Sequence, residues 1–180
     1  MLYMFGFEKI GVVVSDLYFI DPDPGEDQEG AERGVRLEVR LLEQGTAEGS
    51  IYAARPIAVD RPVWRADLLE SAEGAPGSFD RTHHHPAVRG WEPGPRSFDH
   101  GLSDDPVRWV GAALSDLPAL LAQAQLEPGD VGSDDAGQLR DAVPEILDVL
   151  TRLLARVHAG ELATAPAAGD GVEAARLSWL

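Results

Sequence analysis

Apolar and polar residues alternate with a period of two through much of the first half of the chain, which is the spacing of strands that bury one face. Residues 35–41 show it most clearly, because Val35, Leu37, Val39 and Leu41 alternate with Arg36, Glu38 and Arg40. Further strands are predicted at residues 10–20, 51–59, 63–69 and 79–85. Pro56 predicts an edge position or a bulge in the third of these. We therefore expect an antiparallel β-meander of about five strands.

The second half of the chain has helical spacing. Asp105 followed by Pro106 is a typical helix start, with a side-chain cap and a proline in the first turn. A break is expected near Leu117, where Ser115 or Asp116 can cap a second segment before Pro118. The longest apolar stripe predicts a helix from near Ala142 to His158, closed by Gly160. The fold class is thus α+β, with two or three C-terminal helices packed on the sheet.

The length of 180 residues suits one domain with a single core. We assign residues 1–160 to that domain and residues 161–180 to a small-residue linker and a short terminal element that ends in Trp179 and Leu180. The Pro/Gly-rich residues 89–96 predict irregular structure with a turn at Pro93-Gly94. The chain has no cysteine and no apolar run near the roughly 20 residues that a membrane helix needs. No basic segment precedes the first apolar stretch, so a cytoplasmic location is expected.

The net charge restricts the classes of partner. Acidic residues number 31 against 15 basic ones, a formal charge of -16. A surface of that sign repels phosphate backbones, so extended nucleic-acid binding is disfavoured. A basic protein partner that this acidic surface neutralises is a more consistent expectation, and nothing in the sequence fixes the oligomeric state.

The candidate chemistry lies in the consecutive residues His83, His84 and His85. In a strand, residues two apart share one face at about 6.5–7 Å, so His83 and His85 project together. Two imidazoles at that spacing can hold a zinc-type divalent ion if a third ligand approaches. Asp67 on the adjoining strand could supply that ligand, and so could Asp99 or His100.

Two other interpretations use the same residues differently. Acid–base chemistry without a metal would use the two imidazoles, with Arg65 or Arg81 stabilising developing negative charge, which suits phosphodiester hydrolysis. Alternatively, the histidines have no chemical role and lie on a polar face or in hydrogen-bonded core positions. No serine nucleophile motif or phosphate-binding glycine loop is present. The sequence slightly favours a non-enzymatic ligand, metal or partner-binding module.

Several short motifs occur in an order that resembles the TumE-like toxins of bacterial toxin–antitoxin pairs. They are a charged strand at residues 36–40, Arg65 and Asp67, His83 and His85, Phe98, and an amphipathic helix from Pro106. The resemblance covers roughly residues 33–125. It implies that Asp67, His83 and His85 are functional positions and that the activity is directed at RNA.

Overall fold

A computed structural model describes residues 1–26, 29–50 and 52–166. Five strands form one antiparallel sheet in the order in which they occur along the chain. They are β1 (Leu2–Gly6), β2 (Ile10–Ile20), β3 (Ala31–Gln44), β4 (Ile57–Ser71) and β5 (His83–His85). The predicted α+β meander is therefore confirmed.

Three of its strands, β1, β4 and β5, differ from those predicted. Leu2–Gly6 pairs with β2 as an edge strand, and it was not predicted because apolar residues occupy both of its faces. The prediction of two separate strands at residues 51–59 and 63–69 is wrong. A single strand runs from Ile57 to Ser71. Pro62, which has no amide hydrogen to donate, lies at a register shift opposite Arg40. The bulge thus occurs at Pro62, and Pro56 precedes the strand.

The fifth strand is shorter than predicted. Phe79 adopts a positive φ of 49°, which belongs to a turn, so that only His83–His85 pairs with β4. Residues 89–96 were expected to be irregular, but they contain part of a small hairpin, β6 (Val88–Arg89) with β7 (Glu92–Pro93). Gly90 makes its turn with a φ of 62°.

Four helices follow: α1 (His100–Asp104), α2 (Pro106–Ser115), α3 (Leu117–Gln123) and α4 (Asp135–His158). Asp105 and Asp116 accept backbone hydrogen bonds at the starts of α2 and α3, as their sequence positions predicted. The α4 helix begins two turns before the predicted Ala142 and continues through Pro144. Pro144 has no amide hydrogen to donate within the helix, and α4 nevertheless continues on both sides of it.

The helices cover one face of the sheet. The core is built from alternate strand residues such as Val12, Leu37 and Ala66, packed against the apolar sides of α2, α3 and α4. None of the helices in the described ranges is both long and apolar enough to span a membrane. The predicted terminal element with Trp179 and Leu180 lies outside the described residues.

The opposite face of the sheet is charged but largely buried. We call it the charged face; its described members are Glu32, Arg36, Glu38, Arg65, Asp67, His83 and His85, all at most 9% exposed. Residues 86–99, between β5 and α1, supply its cover: the Gly94 carbonyl, the Arg96 side chain and the Phe98 ring contact residues of this face. The polar side of β3 is therefore an interior surface, although its alternation is typical of a strand with one solvated face.

Candidate metal centre

The register of β4 and β5 brings the predicted ligands together. His83 lies directly opposite Asp67, and His85 lies opposite Arg65, one diagonal step from Asp67. All three side chains project from the charged face, while His84 projects toward the helices. Asp67, His83 and His85 form a group whose candidate ligand atoms all lie within 4.8 Å of one another.

The two distances from Asp67 to the imidazoles are close to those of a tetrahedral ion site. The Asp67 Oδ2 atom lies 3.4 Å from His83 Nε2 and 3.6 Å from His85 Nε2. Ligands placed about 2.0–2.1 Å from a tetrahedral zinc ion are separated by about 3.3–3.4 Å. A direct charge-assisted hydrogen bond from an imidazolium would be shorter, at about 2.7–2.9 Å. The spacing therefore fits three atoms around a cation better than two direct hydrogen bonds.

Both imidazoles are oriented by backbone carbonyl groups. His83 Nδ1 donates to the Arg81 carbonyl at 2.8 Å, and His85 Nδ1 donates to the Gly94 carbonyl at 2.6 Å. A carbonyl oxygen only accepts, so each Nδ1 must carry the hydrogen. When the rings are neutral, each Nε2 therefore presents a lone pair toward the same carboxylate oxygen. This is the outer-shell arrangement that fixes metal-binding histidines.

Arg36 holds the carboxylate from the other side. Its Nε donates to Asp67 Oδ1 at 2.6 Å and its Nη2 to Oδ2 at 3.2 Å. Burial raises the pKa of Asp67, but the Arg36 charge and the two imidazoles outweigh it and hold that pKa well below its usual value. Asp67 is therefore ionised at neutral pH and available as an anionic ligand.

Arg65, the predicted electrostatic stabiliser, is directed away from this group. Its guanidinium donates to Glu38 Oε1 from Nε at 2.9 Å, with Nη2 at 2.8 Å from the same oxygen. Glu38 also accepts from Arg40 Nη1 at 2.6 Å. Arg65 thus belongs to a buried ion network with Glu38 and Arg40, beside the Asp67–His83–His85 group.

Glu32 is the least satisfied acid of the charged face. It is 1% exposed, and no group in the described ranges donates a hydrogen bond to either of its carboxylate oxygens. Burial raises its pKa, against the opposing attraction of Arg96 and His83. Arg96 Nη1 lies 3.8 Å from Glu32 Oε1, an ionic contact without a hydrogen bond.

The other predicted ligands have different surroundings. Asp99 caps α1 by accepting from the Gly101 amide at 2.7 Å, and His100 is exposed at the start of that helix. His84 packs against Trp109 at 4.9 Å between ring centroids, and burial lowers its pKa. Of the sequence-derived candidates for a third ligand, the structure therefore brings Asp67 to the histidine pair.

Sequence reasoning missed the groups that orient the three ligands. Arg36 was assigned to the polar side of a half-buried strand, although its alternation with apolar residues did place it on the same face as Asp67. The carbonyl groups of Arg81 and Gly94 have no signal in the sequence, because every residue carries a carbonyl. Only the tertiary arrangement reveals them.

Comparison of the chain with protein-family models, with curated proteins and with solved structures gives no match.

Proposed function

We propose that this protein binds one divalent transition-metal ion of the zinc class through His83 Nε2, His85 Nε2 and an Asp67 carboxylate oxygen. The observation that supports it is the separation of 3.4 and 3.6 Å between Asp67 Oδ2 and the two Nε2 atoms. Both Nδ1 atoms are already engaged with carbonyl groups, so each ring has its Nε2 atom left to bind an ion. A cation between these three atoms removes the repulsion of lone pairs facing a carboxylate.

The donor set suits this class of ion. Imidazole nitrogen and carboxylate oxygen bind zinc and its neighbours in the first transition row, with copper bound more tightly and manganese less. Three protein ligands leave one tetrahedral position for water or another small ligand. Arg36 hydrogen-bonds the ligating carboxylate, as outer-shell partners commonly do.

Burial favours a non-enzymatic role for the ion. Asp67, His83 and His85 are 1%, 2% and 5% exposed, respectively. The ligands join β4 to the short β5, which has only three residues paired to the sheet. An ion at this position would stabilise the attachment of β5 to β4. The site forms only on folding, so the free energy of ion binding adds to the stability of the folded state.

Histidine-dependent phosphodiester hydrolysis remains the second hypothesis. The open fourth position is its support, because catalytic zinc sites keep three protein ligands and a water molecule. The resemblance to RNA-directed toxins leads to the same expectation. Zinc-loaded protein incubated with RNA, beside a His83→Gln variant, tests it. Association with a basic protein partner also stays a prediction, which salt-sensitive co-purification would test.

Metal binding is tested most simply with tag-free protein stripped by a chelator. Zinc is titrated in competition with a chromophoric chelator, for the wild type and for His83→Gln, His85→Gln and Asp67→Asn. We expect one zinc per chain, and at least about 100-fold weaker binding in each variant, more than the roughly 10–100-fold cost of losing an outer-shell partner.

His100→Gln and His158→Gln are the matched controls, since each removes an imidazole outside the proposed site. Both are expected to bind zinc as the wild type does. Equal affinity in all variants, or no stoichiometric binding by the folded wild type, would overturn the proposal.

A further inference from the structure

Residues 94–98, which we call the strap, contact both proposed imidazole ligands. The Gly94 carbonyl accepts from His85 Nδ1 at 2.6 Å, and the Phe98 ring lies 5.8 Å from the His83 ring. Ser97 exchanges two backbone hydrogen bonds with His84 on β5. The strap therefore follows the edge of the sheet beside the proposed metal site.

Arg96, in the middle of the strap, contacts Asp21 and Glu32 at the end of the charged face away from the proposed metal site. Its Nη2 donates to Asp21 Oδ2 at 2.5 Å, and its Nη1 lies 3.8 Å from Glu32 Oε1. Asp21 directly follows β2, and Glu32 lies in β3. One guanidinium thus joins the strap to two strands that do not themselves contribute metal ligands.

The backbone between Arg96 and Gly94 is short and stiff. Pro95 separates the two residues, and its fixed φ removes one of the rotations that could absorb a displacement of Arg96. On the other side, the Gly94 amide donates to the Ala87 carbonyl at 3.0 Å. The Gly94 carbonyl is consequently held from both directions, by the small hairpin and by the Arg96 anchor.

We infer that Arg96 is a positioning residue of the proposed metal site: by anchoring the strap to Asp21 and Glu32, it keeps the Gly94 carbonyl on His85 Nδ1 and so directs His85 Nε2 to the ion. This inference rests on the proposed function. Arg96 is not one of the three proposed ligands, and its contacts with Asp21 and Glu32 lie on other elements than the ligands. Its influence should be greater on His85 than on His83, which the strap contacts only through the Phe98 ring, because His83 Nδ1 is held by the Arg81 carbonyl, outside the strap.

The test compares Arg96→Gln and Asp21→Asn with Arg89→Gln, an exposed arginine of the same covering segment. Zinc affinity is measured by chelator competition. Removing an outer-shell partner costs about 10–100-fold in affinity, so we expect roughly tenfold weaker binding in Arg96→Gln and the same direction in Asp21→Asn. The double variant should be no weaker than Arg96→Gln, because both changes break one anchor. Arg89→Gln should match the wild type.

A second readout separates positioning from general stability. Long-range nitrogen–proton NMR of the imidazole rings reports which nitrogen carries the hydrogen. In metal-free Arg96→Gln, His85 should lose its single Nδ1–H form, while His83 keeps its own. Unchanged zinc affinity with an unchanged His85 signal, or equal changes at His83 and His85, would refute the inference.

The two proposals fail in different ways. If the wild type binds no zinc, the proposed function fails, and the metal-free NMR signal still decides whether Arg96 positions His85. If Arg96→Gln does not fold, Asp21→Asn gives the same two measurements, because it removes the charge of the acceptor in the 2.5 Å hydrogen bond.

Discussion

Replacing Arg36 with methionine removes the strongest partner of Asp67 and leaves a buried carboxylate behind. Arg36 is 9% exposed and Asp67 1%, and two hydrogen bonds of 2.6 and 3.2 Å join them. Removing one member of a buried ion pair typically costs about 3–5 kcal/mol. For a protein of this size, that loss corresponds to a melting temperature lower by roughly 6–20 °C.

The assay is urea unfolding of chelator-treated protein, so that no bound ion replaces the lost charge. Arg152→Met is the matched control, because its ion pair with Asp148 lies on the surface and should be worth at most about 1 kcal/mol. Adding Asp67→Asn to Arg36→Met removes the uncompensated charge and should recover part of the stability. A loss below about 1 kcal/mol in Arg36→Met, or no recovery in the double variant, would refute this reasoning.

The pH dependence of this variant has a defined sign. The pKa of Asp67 is lower in the folded protein than in the unfolded chain, where it is about 3.9. The ionised carboxylate therefore stabilises the folded wild type at pH values above about 3.9. This stabilisation is lost as the pH falls toward the pKa of the folded state. Without Arg36, the main lowering interaction is gone and Asp67 takes up a proton at higher pH. The stability difference between wild type and Arg36→Met should therefore narrow on acidification.

Three further predictions concern other buried positions. Glu32→Gln should raise stability at neutral pH by about 1 kcal/mol. Because the folded pKa of Glu32 is raised, that gain should vanish when the pH falls below its unfolded value, as urea titrations at two pH values will show. Asp135 is fully buried and accepts hydrogen bonds from the backbone amides of Glu8 and Gly132. Asp135→Ala should therefore lower the free energy of unfolding by about 2–4 kcal/mol. Asp148→Ala, on the exposed side of the same helix, should lower it little. A Cβ atom at Gly34 would overlap the Leu68 carbonyl oxygen. Gly34→Ala should therefore lower the free energy of unfolding by about 1–3 kcal/mol in the same assay. An unchanged stability would mean that β3 and β4 can move apart at little cost.

Local signals in the sequence were sufficient for much of the fold. The Asp-Pro start of α2 and the cap at Asp116 depend on side chains within three residues, so the chain itself contains the full cause. The position of His83 and His85 on the same face of the sheet follows from the two-residue period of a strand alone. The two strands predicted at 51–59 and 63–69 are one strand in the structure, because a bulge accommodates Pro62 within β4, and this depends on the partner strand β3.

The environment of the site could not be predicted in the same way. The burial of Glu32 depends on residues 86–99 folding over the charged face, with Arg96 about 60 positions later in the chain. The anchoring of Arg96 by Asp21 likewise joins residues 75 positions apart. Such contacts are products of the whole topology, and a single sequence contains no local pattern that specifies them.

X-ray absorption of zinc-loaded, tag-free protein tests the central claim most directly. The account predicts one zinc per chain with four light ligands at about 2.0–2.1 Å, two of them imidazole rings, and the loss of one imidazole signal in His85→Gln. A shell of oxygen atoms without imidazole, or a spectrum that His85→Gln leaves unchanged, would contradict it.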